Sequence, residues 1–124
     1  GDRQSAFFAA KNRFTTVLEE LVVELPKLRL PMNADVSLPL GSIAQRMDNA
    51  VRPLAQGVFV TRMAAVAGSV ADAILDAMQT ATLSRAYVNN GGDIALHLTE
   101  SQSFTLAMVG YDGSDLGRVT IHHD

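Results

Sequence analysis

Residues 84–98 read Ser84-Arg85-Ala86-Tyr87-Val88-Asn89-Asn90-Gly91-Gly92-Asp93-Ile94-Ala95-Leu96-His97-Leu98, and here the hydrophobic period changes to two. Ala86 and Val88 alternate with Tyr87, and Ile94, Leu96 and Leu98 alternate with Ala95 and His97, as in half-buried strands. Between the two runs stands Asn90-Gly91-Gly92-Asp93, whose glycines tolerate the positive φ of a tight turn. Taken alone, this segment is a β-hairpin.

Downstream the same period continues through Phe104, Leu106 and Met108, with turn-forming residues at Glu100 to Ser103 and at Gly110 to Gly117. A last short strand is expected over Arg118 to His122. Upstream the period is helical. Thr61 stands as a cap to a helix running to about Ala81, on which Ser69, Asp72, Asp76 and Gln79 form one narrow polar stripe on an otherwise apolar cylinder. Most of that helix should be buried. Gly68 lies within it among Ala64, Ala65, Ala67 and Ala71, a composition that suits close approach of a strand, a helix or a ligand.

Further upstream, Ser42 followed by Gln45 reads as a capping box for a helix carrying Ile43, Met47, Ala50, Val51 and Leu54, with Pro53 at its end or in its last turn. Before it, Lys27 to Leu40 contains Pro31 and Pro39 and reads as an ordered connector with one short strand at most. The first helix is expected from Ser5 to Leu25, where Phe7, Ala10, Phe14, Val17, Leu21 and Leu25 share a stripe, and Pro26 should stop it. Three helices followed by a meander of about four strands give an α+β class with a mostly antiparallel sheet, because the connections are too short for crossovers.

The 124 residues suffice for one module, residues 1–124, with a core that needs no disulfide or metal. There is no cysteine, which removes disulfides, thiolate zinc sites and thiol nucleophiles, and permits a reducing, cytoplasmic setting. The apolar-leaning run Met63 to Leu75 is broken by Ser69 and Asp72 and falls short of the ~20 residues of a membrane span. No signal peptide shows at the start, although Gly1 hints at an upstream segment. Net charge is −3, and the arginines are scattered, so no footprint for nucleic acid is visible.

The weaker candidates for chemistry each have an ordinary reading beside the functional one. Asp72 and Asp76 sit four apart on one helical face and could hold a hard cation with loop oxygens, or be a solvated stripe. His122 and His123 point to opposite strand faces, so they do not share an ion readily, and with Asp124 they read as a chain end. His97 lies on the side of Asp93 and Ala95 and could titrate near a ligand at the turn, or be a strand histidine exposed to water. Ser69, Ser101 and Ser103 have no histidine and carboxylate around them that form a hydrolase triad.

Two consecutive stretches, Thr61-Arg62-Met63-Ala64-Ala65-Val66-Ala67-Gly68-Ser69-Val70-Ala71-Asp72 and Ala86-Tyr87-Val88-Asn89-Asn90-Gly91-Gly92-Asp93-Ile94, resemble motifs of the ApbE-like superfamily of flavin-binding FMN transferases. The spacing between them also resembles the family, and the likeness extends weakly to Leu28-Arg29-Leu30-Pro31. Its uncharacterised branch, with an alanine-rich Met-Ala-Ala-Val-Ala-Gly helix and a Val-Asn-Asn-Gly-Gly-Asp turn, is the more similar. The resemblance implies the N-terminal half of an ApbE-like domain, with Gly68, Asp72, Gly91 and Gly92 around a flavin nucleotide, FAD or FMN, to which Asn89, Asn90 and Asp93 could add polar contacts. Where the transferases carry a lysine before the helix glycine, this chain has Ala67. The family's C-terminal half, which holds magnesium, has no counterpart before Asp124, so catalysis by the chain alone is not expected, and self-association or a second chain would complete the pocket. The competing expectation is a non-catalytic binding or assembly module whose glycines serve packing and whose apolar strand near Val119 and Ile121 meets a partner.

Overall fold

The computed structural model describes residues 1–33 and 36–123 and has the expected α+β order. Helix α1 spans Asp2–Leu28, α2 spans Ser42–Val51, and α3 spans Val66–Met78. The strands are β1 (Arg85–Asn90), β2 (Asp93–Leu98), β3 (Ser103–Val109) and β4 (Asp115–His122). All pairing is antiparallel, and the four strands divide into two separate ribbons, β1 with β2 and β3 with β4.

Helix α1 runs through Pro26 rather than stopping before it. A proline costs most in a helix interior, where it removes a hydrogen bond and crowds the preceding turn. Here it falls in the last turn, and the two residues after it are anchored: Leu28 is fully buried, and the Lys27 carbonyl accepts a hydrogen bond from Arg62 Nη1 at 3.3 Å.

The face that α1 buries also differs from the heptad-like stripe of its sequence. Its fully buried side chains, Ala6, Val17 and Leu28, step by eleven residues, three turns of a straight helix. Ala10 and Leu21 flank that line, whereas Phe7, Phe14, Leu18 and Val22 fall beside it and remain more than half exposed.

Helix α2 begins at Gly41, and Ser42 makes no side-chain cap. The capping role passes to Glu24 of α1, whose two carboxylate oxygens accept the N–H groups of Leu40 and Gly41 at 2.7 and 2.8 Å. Burial pushes the Glu24 carboxyl up, but these two backbone donors and the nearby Lys27 and Arg62 hold it below its ordinary value. Gln45, expected to complete the capping box, donates instead to the carbonyls of Pro39 and Leu40. A 3-10 turn over Arg52–Leu54, with Pro53 inside it, closes α2.

The connector holds together through one buried cation. Arg62 and Asp48 are both sealed from solvent, with Arg62 Nη2 and Asp48 Oδ1 at 2.7 Å, and Arg62 also donates to the Ser37 carbonyl at 2.7 Å. Arg52 donates to both Asp48 oxygens at 2.8 Å and to the Val36 carbonyl at 3.1 Å. The Arg52 hydrogen bonds, with Arg62 behind them, hold the Asp48 carboxyl below its usual range despite its burial. The strand expected in the connector is reduced to one antiparallel bridge between Pro31 and Thr61, with Met32 N–H donating to the Val60 carbonyl at 2.8 Å. Residues 34 and 35 of that segment lie outside the described residues.

Thr61 precedes a 3-10 turn, Arg62–Ala65, before α3 proper begins, and its side chain makes no cap. As its composition implied, α3 is largely buried: Ser69, Val70, Ala71, Ala73, Ile74, Leu75 and Met78 are all covered. It packs on α1 and α2 on one side and on both strands of the first ribbon on the other. The ribbon face against α3 is formed by the cross-strand pairs Ala86 with His97, Val88 with Ala95, and Asn90 with Asp93. Tyr87, Ile94, Leu96 and Leu98 occupy the opposite face. The second ribbon carries Phe104, Leu106, Met108, Val119 and Ile121 on one face, since Phe104 pairs with Ile121 and Leu106 with Val119. Met108 and Val119 there are about two-fifths exposed.

Candidate functional site

The turn that joins β1 to β2 has Gly91 and Gly92 at φ of 64° and 110°. Both values lie in the region that L side chains rarely enter, so a two-residue turn of the mirror-image type needs these glycines. Nothing stands within 4 Å of where either Cβ would project. The turn is tied in two ways. Asn89 Oδ1 accepts the Gly92 N–H at 3.0 Å, and Asn90 Nδ2 donates to the Ala67 carbonyl at the start of α3, at 3.2 Å. The second bond fixes the hairpin tip against the first turn of the helix that the sequence singled out.

Beside that junction is an open cleft of about 390 Å³, lined by Arg46, Asn49 and Ala50 of α2, by Ala65, Gly68, Ser69 and Asp72, and by Asp93 at the start of β2. Gly68 is on its wall. A Cβ built there meets only Asp93 Oδ1, at 3.9 Å, ordinary van der Waals distance. The helix glycine is therefore not demanded by packing within this chain; it leaves the helix backbone bare toward the cleft.

Arg46 spans the cleft's polar stripe, forming an ion pair with Asp76 and lying 3.9 Å from Asp72 Oδ2. The stripe expected on α3 is therefore real but unequal: Asp72, Asp76 and Gln79 are exposed, whereas Ser69 is buried at its head. The two aspartates weighed as a cation site instead bracket a guanidinium. Among the described residues no three histidine, aspartate or glutamate side chains converge on a point where a metal ion would sit.

Of the seven residues expected at the site, Gly68, Asp72 and Asp93 line the cleft together. Asn90 ties the hairpin to α3 through the Ala67 carbonyl, and Gly91 and Gly92 form the turn before Asp93 without lining the cleft. Asn89 pairs with Ile94 and belongs to the ribbon face turned away from α3, so it shapes the turn rather than the cleft. His97 is half-buried, with Nε2 at 3.2 Å from the Leu83 carbonyl, far along β2 from the turn, and so is not the exposed strand histidine its pattern allowed. His122 and His123 stand exposed at the end of β4, and Asp124 lies outside the described residues.

Arg46 and Asn49 were not legible as site residues. They lie three apart on the polar face of α2, a pattern that any solvated helix shows, and only the packing of α2 on α3 brings them to Gly68.

Chemically, the cleft offers one guanidinium, two carboxylates, a carboxamide, a hydroxyl and a stretch of bare helix backbone. This set is suited to holding a polar ligand. It contains no hydroxyl or amine paired with a base as a nucleophile would need.

The fold and cleft thus define an α+β module with an opening between α2, the glycine-bearing α3 and the first residue of β2. The family described as AbpE bacteria matches residues 1–124, the whole length of the chain, and the chain belongs to that family. None of the curated proteins and none of the solved structures matches it. No helix among the described residues is long and apolar enough to cross a membrane.

Proposed function

We propose that the chain binds a flavin nucleotide, FAD or FMN, in the cleft between α3 and the Gly91-Gly92 turn, as half of an ApbE-like site. The observation that carries the reading is the bare Gly68 backbone on the wall of an open cleft, with Asp93 beside it and no protein atom closer than 3.9 Å to where a Cβ would stand. Such a surface serves a ligand that lies close against the helix. Three further features support it. The Gly91 N–H has no partner among the described residues, while its neighbour's is used by Asn89, so one backbone donor in the turn next to Asp93 remains for an anion. Arg46 brings a guanidinium into the same cleft, where the resemblance would put a cation at the apolar Ala67 position. Asp72 and Asp93 offer acceptors to ribose or ring N–H groups.

With Arg46 facing two carboxylates, a phosphate competes with Asp72 and Asp76 for the guanidinium. Magnesium accompanying the nucleotide would relieve that competition, and the groups to hold it would come from a second chain or segment. The chain alone is therefore a binder rather than a complete transferase, in a cytoplasmic setting that suits a cysteine-free protein.

Flavin fluorescence tests this directly. FAD and FMN are titrated into the purified chain with and without magnesium, alongside a Gly91→Val, Gly92→Val variant shown by circular dichroism to be folded. Saturable quenching by the parent chain and its loss in the variant is the expected result. Quenching that is absent, or equal in both proteins, contradicts the proposal.

A second reading has its own observation. Phe7, Phe14 and Leu18 on α1, and Met108 and Val119 on the second ribbon, are exposed apolar side chains. A two-stranded ribbon with one apolar face is marginal unless that face is covered. An assembly module would cover it by self-association, and light scattering that finds a monomer across micromolar concentrations speaks against that reading.

A further inference from the structure

A second cavity lies at the other end of α3 and β1, roughly 17 Å from the glycine turn by the length of a six-residue strand. Its volume is about 680 Å³, larger than that of the cleft at Gly68 and within the range of small-molecule sites. Its floor is apolar and buried, formed by Ala6, Met78 and Ala86. Its walls are aromatic: Phe7 of α1, Tyr87 of β1 and Phe104 of β3. Tyr87 and Phe104 meet edge to face, with centroids 5.7 Å apart and planes at 88°, while Phe7 and Tyr87 are each about 60% exposed and so leave ring surface open to the cavity.

The charged groups on the lining are two arginines, Arg3 and Arg85, and the lining carries no acidic residue. Arg85 is held in place: its guanidinium lies 5.4 Å from the Phe104 centroid, and Nη1 donates to the Ser103 carbonyl at 2.9 Å. A guanidinium has five N–H donors, so most of those on Arg85 remain for another acceptor. Neither arginine has an ion-pair partner among the described residues. One anchored guanidinium and a second, exposed one, neither with an ion-pair partner, disfavour a cationic ligand and give a neutral one no advantage. A planar ring with an anionic substituent satisfies both halves of the lining, the ring against the aromatic walls and the anion on the guanidiniums.

We infer that this cavity is a binding site for a small planar aromatic anion, separate from the cleft at Gly68. It does not rest on the flavin proposal, because the two sites share no lining residue.

The probes are 1-naphthyl phosphate and neutral 1-naphthol, compared by calorimetry on the intact chain, with amide chemical shifts locating the contact. The phosphate is expected to bind at least tenfold tighter than naphthol, with shifts concentrated at Phe7, Ser84 and Tyr87. Arg85→Gln and Arg3→Gln should each weaken the phosphate roughly tenfold, the size of a lost charge-assisted hydrogen bond, and leave naphthol unchanged. Arg85→Lys should retain part of the preference. Arg3→Gln leaves the Arg85 contacts to β3 untouched, so it keeps the test sound if Arg85→Gln loosens the second ribbon. Equal affinity for the two probes, shifts centred on Gly68 and Gly91, or no binding by the folded chain would overturn the inference.

Discussion

Gly68→Ala separates a functional glycine from a structural one, because the structure gives stability and binding opposite signs. Gly68 lies in the first turns of α3, behind a 3-10 turn, with no positive φ to preserve. Its added methyl would touch only the Asp93 carboxylate oxygen, at 3.9 Å. No clash opposes the substitution, and alanine is favoured over glycine in a helix by roughly 0.5–1 kcal/mol, mainly because the unfolded chain loses freedom. With an unfolding entropy of about 2.1 cal/mol/K per residue, 124 residues convert that gain to a rise in melting temperature of about 2–4 °C. The same methyl covers helix backbone that is bare toward the cleft, and flavin affinity is expected to fall by about tenfold or more. Differential scanning calorimetry and flavin fluorescence on one preparation give both numbers. A destabilised variant would refute the reading of Gly68 as unconstrained by packing. Unchanged flavin affinity would refute its role in the site.

Asp48→Asn should cost about 3–5 kcal/mol, because it leaves Arg62 buried without its counter-charge, and the melting temperature should drop by roughly 10–20 °C. Both Asp48 and Glu24 have depressed folded-state values, so the unfolded chain binds more protons in the acid range and stability rises with pH there. The stabilisation is complete above the ordinary values of 3.8 and 4.5 and is lost as pH falls through the lower folded ones; urea midpoints between pH 6 and pH 2 should show it, with a shallower slope in Asp48→Asn. Gly91→Ala should lose about 1–2 kcal/mol for a left-handed backbone, and Gly91→Asn distinctly less, as thermal melts would report. Glu24→Ala frees the N–H groups of Leu40 and Gly41 and should cost about 1–3 kcal/mol, measured by urea unfolding.

The parts of this fold legible in sequence are those with strong local periodicity. The alternation about the Asn90 to Asp93 turn located the first ribbon, and the near-continuous apolar surface of α3 marked it as the central helix. Where long-range contacts overrode local signals, the reading shifted. Pro26 sits inside α1 because Leu28 and the Lys27 carbonyl are held by distant residues, and α2 is capped by Glu24, sixteen and seventeen residues before the N–H groups it accepts. The division of the strands into two ribbons depends on whether β2 and β3 hydrogen-bond, which no residue pattern encodes. The candidate site was legible on one side. Gly68, Asp72 and Asp93 come from the two stretches that stood out, whereas Arg46 arrives from a helix whose polar face looks ordinary until it is packed. The buried Arg62 and Asp48 pair was equally hidden, since nothing about an arginine beside Thr61 distinguishes a sealed cation from a solvated one.

The most direct test of the central claim is an amide correlation spectrum of the isotope-labelled chain recorded during titration with FMN. Flavin binding in the cleft should shift Gly68, Ser69, Gly91, Gly92 and Asp93 together, with the Arg46 side-chain N–H signals. Shifts confined to the exposed faces of α1 and the second ribbon, or no shifts at saturating FMN, would contradict it.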